Sequence, residues 1–162
     1  MKKLFAVLFA GALLASCGGS SYTTDKEEAL EMKKSQTEDM KSYYESALEI
    51  ETDFYASQKE ILADYGGKES TLMKKAKTKD EKALEALADL RNLELGKRRD
   101  MDALSRKYED SHRALSQSIR DINQLNDSKD LKDWNKAIQA EEDIQSDLAE
   151  KHYKAVDKLR KD

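Results

Sequence analysis

The sequence contains no proline, and its 162 residues include only six glycines, two histidines and one cysteine. Proline and glycine interrupt helices, so their scarcity permits long helical segments. A single cysteine excludes an intramolecular disulfide. No segment alternates apolar and polar residues over the length of a strand, so the sequence predicts no β-strands.

Charged residues are abundant, at 38% of the chain, and Ala, Leu, Glu and Lys are frequent. This composition is typical of long, solvent-exposed helices or coiled coils. High charge also raises the alternative of disorder, but apolar residues recur at steps of three, four and seven, which favours helices. We therefore predict an all-α fold, an elongated antiparallel three-helix bundle formed by residues 24–162.

The apolar spacing places three helices at about 24–65, 79–126 and 129–160. Thr24 with Glu27 and Thr78 with Glu81 match capping boxes, which mark helix starts. Asp127 or Ser128 is expected to cap the third helix.

Two glycine sites are expected to shape the predicted helices. Gly66-Gly67 is expected to end the first helix in a left-handed turn. Gly96 is the expected bend in the second, although a single glycine can also be tolerated without one. Residues 68–78 are compatible with helix or loop. Because a single straight helix over 68–126 would run almost 90 Å, we predict a break before residue 79.

The N-terminus carries Lys2 and Lys3, an apolar run over residues 4–15 and the segment Leu14-Ala15-Ser16-Cys17. The run has the length of a signal-peptide core and is too short to span a bilayer. The last four residues resemble the lipobox of bacterial lipoproteins. That resemblance implies removal of residues 1–16 and lipidation of Cys17, whose acyl groups would anchor the chain to a membrane.

The lipobox resemblance also implies an address in the bacterial cell envelope. Residues 17–23 would form a flexible tether, and Gly18 after the cysteine favours the outer membrane if the organism is Gram-negative. Loss of Lys2 and Lys3 with the signal would take the net charge from −4 to −6. An acidic chain in the envelope is not expected to bind nucleic acid.

Catalytic and metal motifs are scarce. The sequence after Cys17 has no nucleophile elbow, no Ser-x-x-Lys element and no phosphate loop, so we expect no enzyme and no cofactor. Glu109 and His112 have the spacing used in di-iron bundles, but such sites need a second pair. The other histidine, His152, follows Ala149 at that spacing, so we expect no metal site. We interpret His152 as a partly buried residue of the third helix.

Lysines cluster after the Gly66-Gly67 turn, and four of them, Lys74, Lys75, Lys77 and Lys79, are candidate partner contacts. They could bind an anionic envelope protein or cell-wall polymer, or they could simply keep a turn soluble. Polar residues also fall on the expected apolar seam, at Thr37, Glu51, Gln58, Glu94, Lys97 and Glu141. Such residues predict either a loosely packed bundle or register devices within a homo-oligomer.

The interpretation that follows is a lipid-anchored helical scaffold or accessory interaction protein of the envelope. A chaperone-like holder of unfolded envelope proteins is the alternative. The helical hairpins resemble the tentacles of the periplasmic trimeric chaperone for outer-membrane proteins. That family also has a β body and a plain secretory signal, and this sequence shows neither.

Overall fold

The computed structural model describes residues 22–161, except for the side chains of residues 110–112. Helix α1 spans Lys26–Leu62, α2 Glu69–Lys77, α3 Glu81–Leu125 and α4 Lys132–Lys161, and a short 3-10 helix, Ala63–Tyr65, extends α1. None of the described residues forms a strand, so the predicted all-α fold is confirmed.

Hydrogen bonds between helices give the up-down-up topology. Thr23, just before α1, contacts Ser118 of α3, and Tyr43 of α1 contacts Ser105 of α3. Residue numbers therefore fall along α3 as they rise along α1, as in antiparallel helices. Along α1 and α4, hydrogen bonds join Lys26 to Trp134 and Tyr55 to Arg160, in ascending order. Helix α1 packs closely along both α3 and α4, whereas the backbones of α3 and α4 rarely approach each other.

Two apolar clusters lie towards opposite ends of the bundle. The base core joins the start of α1 to the turn between α3 and α4, and consists of Ala29, Ile122, Leu131, Trp134 and Ile138. The tip core lies beyond the end of α4 and consists of Leu62, Tyr65, Leu72, Ala76, Ala83 and Leu90. Helix α2 supplies Leu72 and Ala76 there, so it covers the part of the bundle that α4 does not reach.

Polar side chains occupy the middle of the bundle, between the two cores. Gln145 of α4 accepts a hydrogen bond from the Lys33 ammonium at 3.2 Å and donates to Gln36 at 3.2 Å and to Thr37 at 3.0 Å. All four residues are buried. Because these hydrogen bonds can form only in one alignment of α1 and α4, they fix the register of the two helices.

A second polar contact fixes α1 against α3. The Lys97 ammonium lies 2.6 Å from a carboxylate oxygen of Glu51 and 4.3 Å from the centroid of the Phe54 ring. Two of the seam residues expected from the sequence therefore pair within one chain. Thr37 does the same with Gln145, so these register devices act inside the bundle.

Helix starts differ from the predicted caps by one or two residues. Asp25 caps α1, because its carboxylate accepts hydrogen bonds from the N–H groups of Glu27 and Glu28, both at 2.9 Å. Asp80 caps α3 in the same way through Ala83, at 3.0 Å. Thr78 is instead the residue that ends α2, where its hydroxyl donates to a backbone carbonyl. A carboxylate is the better acceptor at the positive end of a helix dipole.

Residues 68–78, for which the sequence allowed helix or loop, are mostly helical and form α2. The helix is interrupted at residues 78–80, as predicted. Helix α3 runs through Gly96 without interruption. Helix α4 begins at Lys132, later than predicted. Asp127 lies in the preceding turn, where its carbonyl accepts a hydrogen bond from the Asp130 N–H. This turn brings Leu131 into the base core.

Tyr22 and Thr23, assigned from sequence to the flexible tether, are docked on α3. The backbone N–H of Thr23 donates to Ser118 at 3.0 Å, and the Tyr22 hydroxyl donates to Asp121 at 2.8 Å. Thr23 is buried. The base of the bundle therefore includes Tyr22 and Thr23. The predicted signal peptide and Cys17 lie outside the described residues.

Candidate functional site

The four predicted contact lysines lie together at one end of the molecule. We call Lys74, Lys75, Lys77 and Lys79 the basic tip; all four are exposed. The Lys75 ammonium lies 5.2 Å from the centroid of the Tyr65 ring, a distance at which the aromatic face attracts the cation. The 37 residues of α1 separate this end from residue 22 by about 55 Å.

Lys79 holds a backbone conformation that suits glycine better than lysine. It has φ of +61° and is the only non-glycine residue with positive φ among those described. The Lys79 N–H donates to the Ala76 carbonyl, and the Asp80 N–H donates to the Lys75 carbonyl. This pair of bonds is the Schellman motif, in which the left-handed residue is usually glycine.

The end of α1 provides an internal comparison for Lys79. Gly66 has φ of +63°, and the same two bonds form there, from Gly66 to Ala63 and from Gly67 to Leu62. The chain thus forms this pair of bonds twice, with glycine at the left-handed position of one turn and lysine at that of the other. The residue that follows differs, because Gly67 also has positive φ, +69°, whereas Asp80 has φ of −65°. A side chain in the left-handed region costs about 1–2 kcal/mol, so the conformation gives no reason for a lysine at residue 79.

An aromatic cluster joins the three long helices at mid-height. Tyr43 and Tyr44 of α1 have ring centroids 5.3 Å apart. Tyr43 contacts Tyr108 of α3 at 5.4 Å, and Tyr44 contacts His152 of α4 at 4.9 Å. His152 is half-buried, as expected from its place on the apolar stripe of α4.

Burial changes the acid–base behaviour of this cluster. It raises the pKa of Tyr108 to about 12, with smaller contributions from Tyr44, Asp39 and Tyr43. Burial lowers the pKa of His152, against weaker opposing effects of the Tyr44 backbone and Glu51. Burial thus favours the neutral form of both side chains, which is the behaviour of packed residues.

A shallow cleft of about 560 Å³ opens beside the aromatic cluster, between α1 and α3. It was not foreseen from the sequence. Its lining residues are Tyr43, Tyr44, Ser105, Tyr108, Glu109, Arg113, Ser116 and Arg120. Glu109 is exposed, and the side chain of His112 lies outside the described part. Among the described residues, no group of three or more His, Cys, Asp or Glu side chains could hold a metal ion.

A second groove, of about 340 Å³, lies between α1 and α3 nearer the tip. We call it the Gly96 groove, and its lining residues are Ser46, Glu49, Ile50, Asp53, Phe54, Ser57, Asn92, Leu93, Gly96, Lys97 and Asp100. A Cβ added at Gly96 would meet no atom within 4 Å. Glycine within a helix costs about 1 kcal/mol relative to alanine, so packing within this chain does not explain Gly96.

No protein-family model, curated protein or solved structure matches the chain. None of the described helices combines the length and apolar character needed to cross a bilayer.

Proposed function

We propose that this protein is a lipid-anchored interaction protein of the bacterial cell envelope, and that it acts as a spacer without catalysis. The lipidated Cys17 holds the base of the bundle at a membrane. The basic tip contacts an anionic partner at the other end of the rod. The proposed ligand chemistry is a row of carboxylates or phosphates, as carried by a cell-wall polymer or an acidic protein.

Lys79 is the observation that carries this proposal. A lysine stands where the twin turn at Gly66 has glycine, and where glycine would be the more stable choice. Local rules of backbone preference are most often broken where a side chain has a functional role. The charge of Lys79 joins three other exposed lysines on one surface, which supports a binding role for the basic tip.

The distance between the two ends supports a spacer. Tyr22 comes five positions after Cys17, and five residues span at most about 18 Å. Since Tyr22 is docked at the base, the anchor stays near that end of the rod. An upright bundle then holds the basic tip about 55 Å or more from the membrane.

Two experiments test the proposal. Metabolic labelling with a radioactive fatty acid, comparing the full chain with Cys17→Ala, tests the anchor. Label on the native chain and its loss in the variant are expected; equal labelling of both would contradict the anchor.

The tip is tested by replacing Lys74, Lys75, Lys77 and Lys79 with Gln in the full chain. Binding to purified cell wall is measured by co-sedimentation, and binding to envelope proteins by cross-linking in cells. A matched control replaces four exposed lysines elsewhere with Gln, namely Lys129, Lys132, Lys136 and Lys151. We expect loss of one of the two signals in the tip variant and a smaller change in the control. Equal effects would show non-specific charge attraction and overturn the role of the tip.

The same cross-linking distinguishes the chaperone alternative. A scaffold yields one dominant partner in fixed proportion, whereas a holder of unfolded proteins yields many unrelated clients. A broad client set that persists in the tip variant would refute the spacer.

A further inference from the structure

The Gly96 groove has the composition of a docking site for a helix. Its floor is apolar, formed by Ile50, Phe54 and Leu93, and the missing side chain at Gly96 leaves it open. Among the described residues, no other element places an atom within 4 Å of the position that a Cβ at residue 96 would take. A glycine at such a position allows the backbone of another helix to come close.

Carboxylates surround this floor. Glu49 and Asp53 lie one turn apart on α1, and both are exposed. Asp100 of α3 lies on the opposite rim, with Arg99 beside it at 3.1 Å. The one lysine of the groove, Lys97, directs its ammonium to Glu51 and the Phe54 ring. The rim is therefore acidic, and it suits a helix with basic residues beside an apolar one.

The chain itself carries such a helix at its tip. On α2, Met73 is a large apolar side chain that is 45% exposed. Lys74 and Lys77 both lie to one side of it on the helix, and residues three apart on a helix lie about 5–6 Å from each other, as do residues four apart. The two lysines thus have the spacing of Glu49 and Asp53. The flexible side chain of Met73 suits an irregular apolar floor.

We propose that the Gly96 groove receives helix α2 of a second copy of this chain. Met73 packs on the apolar floor, and Lys74 and Lys77 pair with Glu49 and Asp53. Along α3, Ala83 in the tip core and Gly96 are 13 residues apart, so two copies docked in this way overlap by about 20 Å. Docking in both directions closes a dimer, whereas docking in one direction produces longer chains.

This inference rests on the basic tip being a binding surface, as proposed above, and it has a consequence for that surface. A docked α2 hides Lys74 and Lys77 from other partners. An anionic partner must then compete with the acidic rim of the second copy. Self-association and envelope binding are therefore mutually exclusive states of the tip.

Charge reversal provides the test. One full-chain variant carries Lys74→Glu and Lys77→Glu, and the other carries Glu49→Lys and Asp53→Lys. All four side chains are exposed, so the fold is expected to be retained, which circular dichroism checks. Within either variant the tip and groove have like charge, whereas between the two variants every tip meets a groove of opposite charge.

Sedimentation velocity in detergent, over a range of concentrations, measures the outcome. We expect the native chain to self-associate, each variant alone to be monomeric, and an equimolar mixture to associate again. A native chain that is monomeric throughout would overturn the inference. So would variants that associate as the native chain does, or a mixture that stays monomeric.

Gly96→Leu separates this inference from the proposed function. The larger side chain fills the groove without changing charge, and we expect self-association to weaken by about tenfold or more, the effect of losing one good contact. Binding of the same variant to polyglutamate, used as the anionic probe, should be retained. If self-association survives in Gly96→Leu, the groove is not the docking site. If only the polyglutamate binding of the native chain is missing, the tip proposal fails while the dimer stands.

Discussion

Replacing Lys79 with glycine should make the bundle more stable, although it removes a side chain. The residue has φ of +61°, and both bonds of its Schellman turn are backbone bonds that glycine keeps. The left-handed conformation costs a residue with a Cβ about 1–2 kcal/mol. Glycine also has more conformational freedom in the unfolded chain, which lowers the stabilisation by about 0.4–1 kcal/mol. The expected net increase in the free energy of unfolding is about 0.5–1 kcal/mol.

Urea titrations and thermal melts, both followed by circular dichroism, measure this change. For a chain of this size, about 1 kcal/mol corresponds to a shift of about 2–4 °C in Tm. Lys79→Ala is the control, because it removes the charge but keeps the Cβ. We expect no comparable stabilisation in Lys79→Ala; an equal gain would show that charge repulsion, and not backbone conformation, was relieved.

The reverse substitution at the twin turn gives a second check. Gly66→Lys introduces a side chain at φ of +63°, where a Cβ would meet no atom within 4 Å. It should destabilise the fold by about 0.5–1 kcal/mol through conformation alone. If Lys79→Gly lowers stability, or Gly66→Lys leaves it unchanged, the conformational reasoning behind the role of Lys79 is refuted.

Four further changes probe the middle of the bundle. Gly96→Ala should raise the free energy of unfolding by about 1 kcal/mol in thermal melts at low concentration, and a loss would reveal a packing role for the glycine. Gln145→Leu should cost about 1–3 kcal/mol in urea, because it leaves the buried ammonium of Lys33 with only the Glu142 carboxylate, 3.7 Å away, and adding Lys33→Met should recover most of it. Burial lowers the pKa of His152 below 6.5, so the unfolded chain binds more protons than the folded one as the pH falls below 6.5. The free energy of unfolding should therefore decrease as the pH drops below 6.5. His152→Gln should flatten that dependence, and an unchanged slope would refute it. The pKa of Tyr108 is about 12, so its contribution to stability should be present below pH 10 and be lost as the pH rises towards 12. Ultraviolet absorbance should show one tyrosine that ionises at this high pH, and Tyr108→Phe should remove that ionisation.

The helical architecture could be predicted from the sequence because its determinants are local. The apolar spacing located three long helices, and Gly66 marked the end of the first. Cap positions were less predictable. Asp25 and Asp80 each lie near a threonine that also fits the capping pattern, and only the backbone geometry decides which side chain accepts from the N–H groups of the first turn.

The two candidate sites also differ in whether neighbouring residues or helix packing form them. The basic tip was visible in the sequence, because its four lysines are neighbours in the chain. The Gly96 groove was not, since Glu49 and Asp100 come together only when α1 packs on α3. A glycine within a long helix was the one local signal, and the sequence alone suggested a bend there.

The sequence by itself determined the helices, the cluster of lysines and the resemblance to a lipoprotein signal, because each is written in neighbouring residues. Only the tertiary structure decided that Gln145 meets Lys33 and that Glu51 meets Lys97. It also decided that α2 covers the end of the bundle that α4 does not reach. Those contacts depend on the register of helices far apart in sequence, which many weak interactions set together.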